Sequence, residues 1–319
     1  MALTEFSVIE QYFSGRRYSN VETQLGIGDD CALLNIPDGQ ELVVTTDTMV
    51  EGVHFFPECD VESLGHKLLA VNLSDLASMG AKPFAVTLAL TMPKIDPHWL
   101  QQFANGFFKL AEHYSVDLIG GDTTSGPLTL TVQALGLAPR GQALRRSTAQ
   151  PGQLIYLTGC LGSAGLGLKA EQGYQKTTVT DALKRFHRPQ PRVEIGLSIL
   201  AYASACIDVS DGLVADLGHI LQASQVGATL DWDKLPLSVE VTDYIYQTDD
   251  WTMPLTAGDD YELCFTVEPD QLQALETDLH AQGFDFSEIG KIESEPGLRL
   301  QKSGVVSQFN GKGFEHFSE

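Results

Sequence analysis

Three observations predict a two-domain α/β protein. The chain has 319 residues, enough for two full cores at the usual ~100–200 residues per domain. Short strand-like runs at 42–46, 84–92 and 128–137 alternate with stretches of helical period at 61–79 and 97–114. A polar, Pro/Gly-rich segment from 139 to 153 interrupts them, which sets domains at 1–140 and 150–319 with a linker at 141–149.

Composition narrows the function classes. Hydrophobic residues make up 43% and charged residues 19%, the balance of a soluble globular protein. No apolar run is long enough to span a bilayer. Twenty basic against 42 acidic residues give a net charge of −22, and a chain without a basic patch cannot displace the counterions of a nucleic-acid backbone. Cys31, Cys59, Cys160, Cys206 and Cys264 are odd in number and never paired as C-x-x-C, so neither a disulfide framework nor a zinc site is indicated.

At the start, Glu5 and Glu10 stand among Phe6, Ile9 and Phe13. That is helical spacing without the basic start and small-residue cleavage site of a signal peptide, and it reads as a surface helix of a cytoplasmic protein. Gly26-Ile27-Gly28-Asp29-Asp30 then precedes an apolar run, as a Gly-Asp loop opening a hairpin would. A β-branched strand ends in Thr45-Thr46-Asp47, and Gly52 supplies a turn that can fold His54 back toward those oxygens. A strand end in an ordinary Asp-Thr turn accounts for this segment equally well.

Over 61–79 the apolar residues Leu64, Leu68, Val71 and Leu76 repeat at helical spacing, with Asn72 and Asp75 sharing one face. Such polar groups, if buried, must be paired, hydrated or metal-bound. A short strand at 116–119 delivers Gly120-Gly121-Asp122-Thr123-Thr124 to a loop, where glycines let backbone amides approach a phosphate while Asp122 holds a metal. Arg145 and Arg146 follow in the linker; a guanidinium suits a phosphate, and a surface ion pair is the alternative.

The strand at 154–158 is followed by Gly165-Leu166-Gly167-Leu168-Lys169-Ala170, a formal match to G-x-G-x-x-A. Its glycines lie too far past the strand for a dinucleotide fingerprint, which leaves a tightly packed strand-to-helix turn. Ile207-Asp208-Val209-Ser210-Asp211-Gly212 repeats the apolar-then-Asp theme and leads into a helix at 213–224. Gly258-Asp259-Asp260 feeds a further strand at 263–267, and Gly313-Phe314 belongs to an aromatic turn at 311–317.

Five segments thus bring aspartates to the ends of apolar elements, more than independent solvated turns explain, and convergence on one cleft is expected. All-oxygen ligands without a His/Cys cluster point to several Mg²⁺ ions completed by substrate phosphates. Phosphoryl transfer suits such a site, because its transition state needs positioning and charge neutralisation. The P-loop and protein-kinase signatures are absent from the sequence.

Gly26-Ile27-Gly28-Asp29-Asp30-Cys31-Ala32, the run from Thr45 to Phe55, Ala70 to Ala81, Gly120 to Thr124, Ile207 to Leu213, and Asp260-Tyr261-Glu262-Leu263 resemble, in order and nearly end to end, the thiamine-monophosphate kinase family. Single motifs are shared with aminoimidazole ribonucleotide synthetase and selenophosphate synthetase; the His54 loop and Asp-Tyr-Glu-Leu favour the kinase, and no reactive Cys precedes Gly26. A non-catalytic metal- or nucleotide-binding protein is the other alternative. The resemblance implies a two-domain aminoimidazole ribonucleotide synthetase-like fold, with mixed sheets and helices packed on one face. It also implies a homodimer through the N-terminal domains, and ATP and Mg²⁺ bound in a cleft.

Carried over by position, the resemblance implies metal contacts from Asp30, Thr45, Thr46, Asp47, Asp75, Asp122, Asp208 and Asp211. It implies ATP contacts from Gly121, Asp122, Arg146 and Ser210, and contacts with thiamine monophosphate from His54, Asp259 and Phe314. The implied reaction is direct in-line transfer of the ATP γ-phosphoryl group to thiamine monophosphate, without a protein nucleophile. The family usually has Glu where this chain has Asp259, and the reach of that carboxylate is shortened by one methylene.

Overall fold

The structure, a computed structural model, describes residues 4–309, 311, 313 and 314. It divides into two compact units: one runs to Leu76 and resumes over Ala81–Gln142, the other takes Ala77–Gly80 and the chain from Ala143 onward. Among the described residues no helix is long and apolar enough to cross a membrane.

In the first unit, α1 (Glu5–Val8) begins in a reciprocal capping box between Thr4 and Ser7 and runs on as a π-turn to Phe13. The strands β1 (Thr23–Leu25) and β2 (Leu33–Leu34) pair antiparallel, so the Gly-Asp loop does open a hairpin. β3 (Gln40–Val50), α2 (Val61–Ser78), β4 (Lys82–Met92), α3 (Pro97–His113), β5 (Asp117–Ser125) and β6 (Thr129–Pro139) follow. They build a four-stranded sheet in the order β3-β6-β4-β5 in which only β4 and β5 run parallel. A parallel pair requires a crossover connection, which α3 supplies; Asp96 caps its N-terminus by accepting from the His98 and Trp99 amides, with Pro97 in the first turn.

The period of two along β3 divides its side chains. Thr45 and Asp47 are half-buried and meet α2 through Asp75 and Asn72, whereas Leu42, Val44, Thr46 and Thr48 on the opposite face are exposed. β5 is longer than the expected strand at 116–119, so Gly121 and Asp122 pair with Leu88 and Ala89 inside the ladder rather than lying in a loop. Gly121 makes this possible: its φ is +151°, and a Cβ there would fall 1.8 Å from the Leu88 carbonyl oxygen.

The second unit contains β7 (Leu154–Thr158), α4 (Ser163–Glu171), α5 (Thr180–His187), α6 (Val193–Ile199), β8 (Ala203–Asp208), α7 (Leu213–Ser224), β9 (Gly227–Asp231) and α8 (Val239–Thr248). It continues with α9 (Met253–Thr256), β10 (Leu263–Val267), α10 (Leu272–Ala281), β11 (Phe286–Glu293), β12 (Gly297–Lys302) and β13 (Val305–Gln308). Seven strands form one sheet, ordered β13-β12-β9-β11-β7-β10-β8, and only β12–β9 is parallel.

Alternate residues of the central strands face two different layers. Ile155, Leu157, Ile207 and Cys264 share a core with Leu213, Leu217 and Ile220 of α7. On the other face Tyr156 stacks on Phe265 at 5.7 Å and donates to Glu276 of α10 at 3.0 Å. β10 is buried at every position. Helices therefore cover both faces of this sheet, which corrects the one-face packing expected from the resemblance. The G-x-G-x-x-A stretch lies inside α4, where a Cβ on Gly167 would come 2.5 Å from the Ala182 carbonyl oxygen of α5. Those glycines serve tight packing as expected, but within a helix and not in the expected strand-to-helix turn. All five cysteines are free thiols, Cys206 and Cys264 buried and Cys31 exposed.

Candidate active site

The first unit gathers Thr45, Asp47 and Asp75. Thr45 Oγ1 donates to Asp75 Oδ2 across the β3–α2 contact in a short hydrogen bond, and the Asp47 amide donates to Asn72 Oδ1 at 3.1 Å. Asn72 is fully buried and returns its Nδ2 to the Leu68 carbonyl at 2.9 Å. It is thus a structural amide that fixes the backbone of Asp47, while Asp75, one turn on, presents the carboxylate. Thr46 points to the other face of β3 and is exposed, so its side chain is not with those of Thr45 and Asp47. Asp30, in the β1–β2 loop, and Asp122, on β5, are exposed.

The Gly52 turn folds His54 back onto the backbone of Val50. Gly52 has φ +78° and its amide donates to the Phe55 carbonyl, while the His54 amide donates to Val50 O and the Val50 amide donates to His54 Nδ1, both at 3.0 Å. A neutral imidazole that accepts at Nδ1 carries its proton on Nε2.

In the second unit the predicted residues sit on adjoining loops. Asp208 closes β8 and is buried. The next loop carries Ser210 and Asp211, and the loop before β10 carries Asp259. They are zipped together by backbone bonds: Asp259 N donates to Ser210 O, and Tyr261 N to Val209 O, both at 2.9 Å, while Val209 N donates to Glu262 O at 2.8 Å. Phe314 N donates to Asp211 O at 3.0 Å, which brings the exposed Phe314 ring to the same loop. The remainder of the aromatic turn, Lys312 and residues 315–317, lies outside the described residues. Arg146 is exposed on a short turn packed against α7.

Four groups to which the sequence reading assigned no site contact hold these loops. Asp216, buried in α7, accepts from both the Ser210 and Asp211 amides at 3.0 Å. Burial raises its pKa to about 7, against the opposing pull of the loop amides and of Arg146. Buried Asp260 accepts from Gly162 N at 2.6 Å and Ala164 N at 3.0 Å, and burial lifts it to about 7 as well. Glu262 is 1% exposed; it accepts from Thr158 Oγ1 and Arg192 Nε, both at 2.6 Å, with a second, shorter bond from Arg192 that makes the pair bidentate. Tyr261 donates its hydroxyl to Asp259 Oδ1 at 3.0 Å, and both residues have left-handed backbones, φ +49° and +68°. The signal for Asp216 was present, since a carboxylate among Leu213, Val214, Leu217 and Ile220 calls for a partner by the rule that singled out Asp75.

Within each unit taken by itself the candidate donors are oxygens, from carboxylates and hydroxyls, a chemistry suited to Mg²⁺ rather than zinc. Among the described residues no three His, Cys, Asp or Glu side chains gather closely enough to hold an ion by themselves.

Residues 28–138 match the AIR synthase related protein, N-terminal domain, and residues 150–303 match the corresponding C-terminal domain. The fold and its acidic loops therefore place the chain in the AIR synthase-related class. A thiamine-monophosphate kinase of Salmonella typhimurium is 46% identical over 100% of this chain and 99% of its own. A crystal structure of thiamine-monophosphate kinase from Stenotrophomonas maltophilia K279a superposes with a TM-score of 0.86 at 43% identity, covering 96% of this chain and 99% of that one. AaThiL complexed with AMPPCP and TMP superposes with a TM-score of 0.79 at 28% identity, over 98% and 97% of the two chains. The chain belongs to the thiamine-monophosphate kinase family.

Proposed function

We propose that this protein transfers the γ-phosphoryl group of ATP to the phosphate of thiamine monophosphate, giving thiamine diphosphate and ADP. One observation carries the reading beyond family membership. Backbone bonds gather the loops that carry Asp208, Ser210, Asp211, Asp259 and Phe314, which supports a reading in which Ser210 serves the nucleotide, Asp208 and Asp211 serve Mg²⁺, and Asp259 and Phe314 serve the thiamine moiety. The acceptor phosphate is already anionic, so the chain needs no nucleophile or base and its work is positioning and charge compensation.

Ser210 and the backbone at Gly121 meet the ATP phosphates, with Arg146 offering the cationic fork. Asp30, Thr45, Thr46, Asp47, Asp75, Asp122, Asp208 and Asp211 would hold Mg²⁺ through hard oxygen donors. When bound, Mg²⁺ neutralises the phosphate oxygens and lowers the charge barrier between donor and acceptor. Asp259, its carboxylate held by Tyr261, faces the thiazolium cation; the Phe314 ring covers the substrate, and His54 donates from Nε2. Asp260 and Glu262 are engaged with α4 and Arg192, which supports Asp259 as the carboxylate that meets the substrate.

The exposed Leu42 and Val44 on the open face of β3 support a homodimer built through this sheet. The reaction is assigned to the cytoplasm, where ATP and Mg²⁺ are available. Incubation with ATP, Mg²⁺ and thiamine monophosphate should yield equimolar thiamine diphosphate and ADP. ADP without thiamine diphosphate, or nucleotide binding without turnover, would refute the assignment. A chiral γ-phosphoryl group should arrive inverted, and net retention would indicate a covalent phosphoenzyme.

A further inference from the structure

The Ser210-Asp211 loop is held on every backbone polar group. Its two carbonyls accept from the Asp259 and Phe314 amides, at 2.9 and 3.0 Å, and its two amides donate to a single oxygen, Oδ2 of Asp216, each at 3.0 Å. With the backbone engaged on both sides, the side chains of Ser210 and Asp211 project from a loop whose peptide planes have little freedom. We propose that Asp216 is a positioning residue for phosphoryl transfer, aiming Ser210 and Asp211 by clamping their amides; this rests on the kinase reading above.

The bonds made by Asp216 are not those of a helix cap. α7 begins at Leu213, and a capping side chain would accept from the orphan amides of its first turn. Asp216 instead reaches back past the N-terminus to residues 210 and 211. Its carboxylate is 2% exposed, so two loop amides are the return for burying it, and the helix itself would be better served by an apolar side chain at that position. Because one oxygen takes both donors, the requirement is for an accepting oxygen with two lone pairs, not for the charge. The side-chain carbonyl of Asn can meet that requirement and the methyl of Ala cannot.

The test compares Asp216→Ala and Asp216→Asn by ¹⁵N-resolved amide shifts and hydrogen exchange at residues 210 and 211, and by kcat with saturating ATP, Mg²⁺ and thiamine monophosphate. In Asp216→Ala both amides should lose their downfield shift and exchange faster, and kcat should fall on the order of a hundredfold, the scale of a misplacement of about 1 Å. Asp216→Asn should keep both amide signatures and recover kcat to within about fivefold of the parent. Amides unchanged in Asp216→Ala, an Asn variant as impaired as Ala, or an Ala variant that loses only melting temperature would each overturn the proposal. If Asp216→Ala does not fold, loss of the two amide signatures in Asp216→Asn is the overturning result. Should the parent protein make no thiamine diphosphate while the amides respond as stated, the kinase reading falls and the clamp stands.

Discussion

Asp259 is stapled at three points: a left-handed backbone, an amide bonded to Ser210 O and a carboxylate bonded to the Tyr261 hydroxyl. Asp tolerates that backbone better than most residues, so the shorter side chain suits its turn. Asp259→Ala should raise the KM for thiamine monophosphate roughly ten- to a hundredfold, the worth of about 1.5–3 kcal/mol for a charge-assisted contact, and leave the KM for ATP little changed. An unaltered KM for thiamine monophosphate with a lowered melting temperature would reduce the residue to a turn former. Asp47→Asn and Asp122→Asn keep size and remove charge. Turnover should drop by orders of magnitude in each, since metal neutralisation supplies several kcal/mol, while circular dichroism stays that of the parent; near-parental turnover in both would defeat the metal assignment.

Two elements depend on single residues in a way that can be measured. β4 and β5 approach so closely at Gly121 that Gly121→Ala sets a methyl against Leu88 O in a backbone conformation costing about 1–3 kcal/mol by itself. Denaturant unfolding should show at least that loss, and unchanged stability would mean that β5 shifts freely. The Arg192–Glu262 pair ties the N-terminus of α6 to the start of β10. Glu262 is buried and Arg192 only 21% exposed, so removing Arg192 leaves a buried carboxylate with only Arg185, at 3.8 Å, and the Thr158 hydroxyl against it. Arg192→Met is expected to cost about 3–5 kcal/mol, and Arg192→Met with Glu262→Leu to recover much of it. A double variant no more stable than the single would show that the pair is not the unit of stability.

At the scale of the whole molecule, charge and the open sheet face make the predictions. Val44 is 50% and Leu42 42% exposed on β3; if the proposed homodimer forms through this face, light scattering should give a dimer mass for the parent and a monomer mass for Val44→Asp, and a dimer mass in both would move the interface elsewhere. Asp216 and Asp260 both have pKa values raised from 3.8 to about 7. A raised folded-state pKa means that the native protein binds protons more readily than the unfolded chain. The stability these groups contribute is fully present below about pH 4 and is lost as pH rises through about 7. Urea midpoints in EDTA should reflect this, and Asp260→Asn should flatten that part of the slope.

The sequence by itself determined the aspartate-bearing segments, the α/β character, several elements to the residue, such as 154–158, 213–224 and 263–267, and the family. These are local matters of hydrophobic period and turn chemistry, readable along the chain. The length of β5 was not legible, because its second half is held by pairing with β4 and not by its own propensity. β11 carries Glu288 and Lys291 and β12 carries Arg299 and Lys302, charges that weaken the strand signal along the chain, and both are held by pairing, β11 with β7 and β9 and β12 with β9. The face to which Thr46 turns, the helices on both sides of the second sheet and the clamps by Asp216, Asp260 and Arg192 were likewise decided by tertiary structure. A carboxylate's role depends on which buried donors lie within about 3 Å of it, and sequence distance does not carry that information.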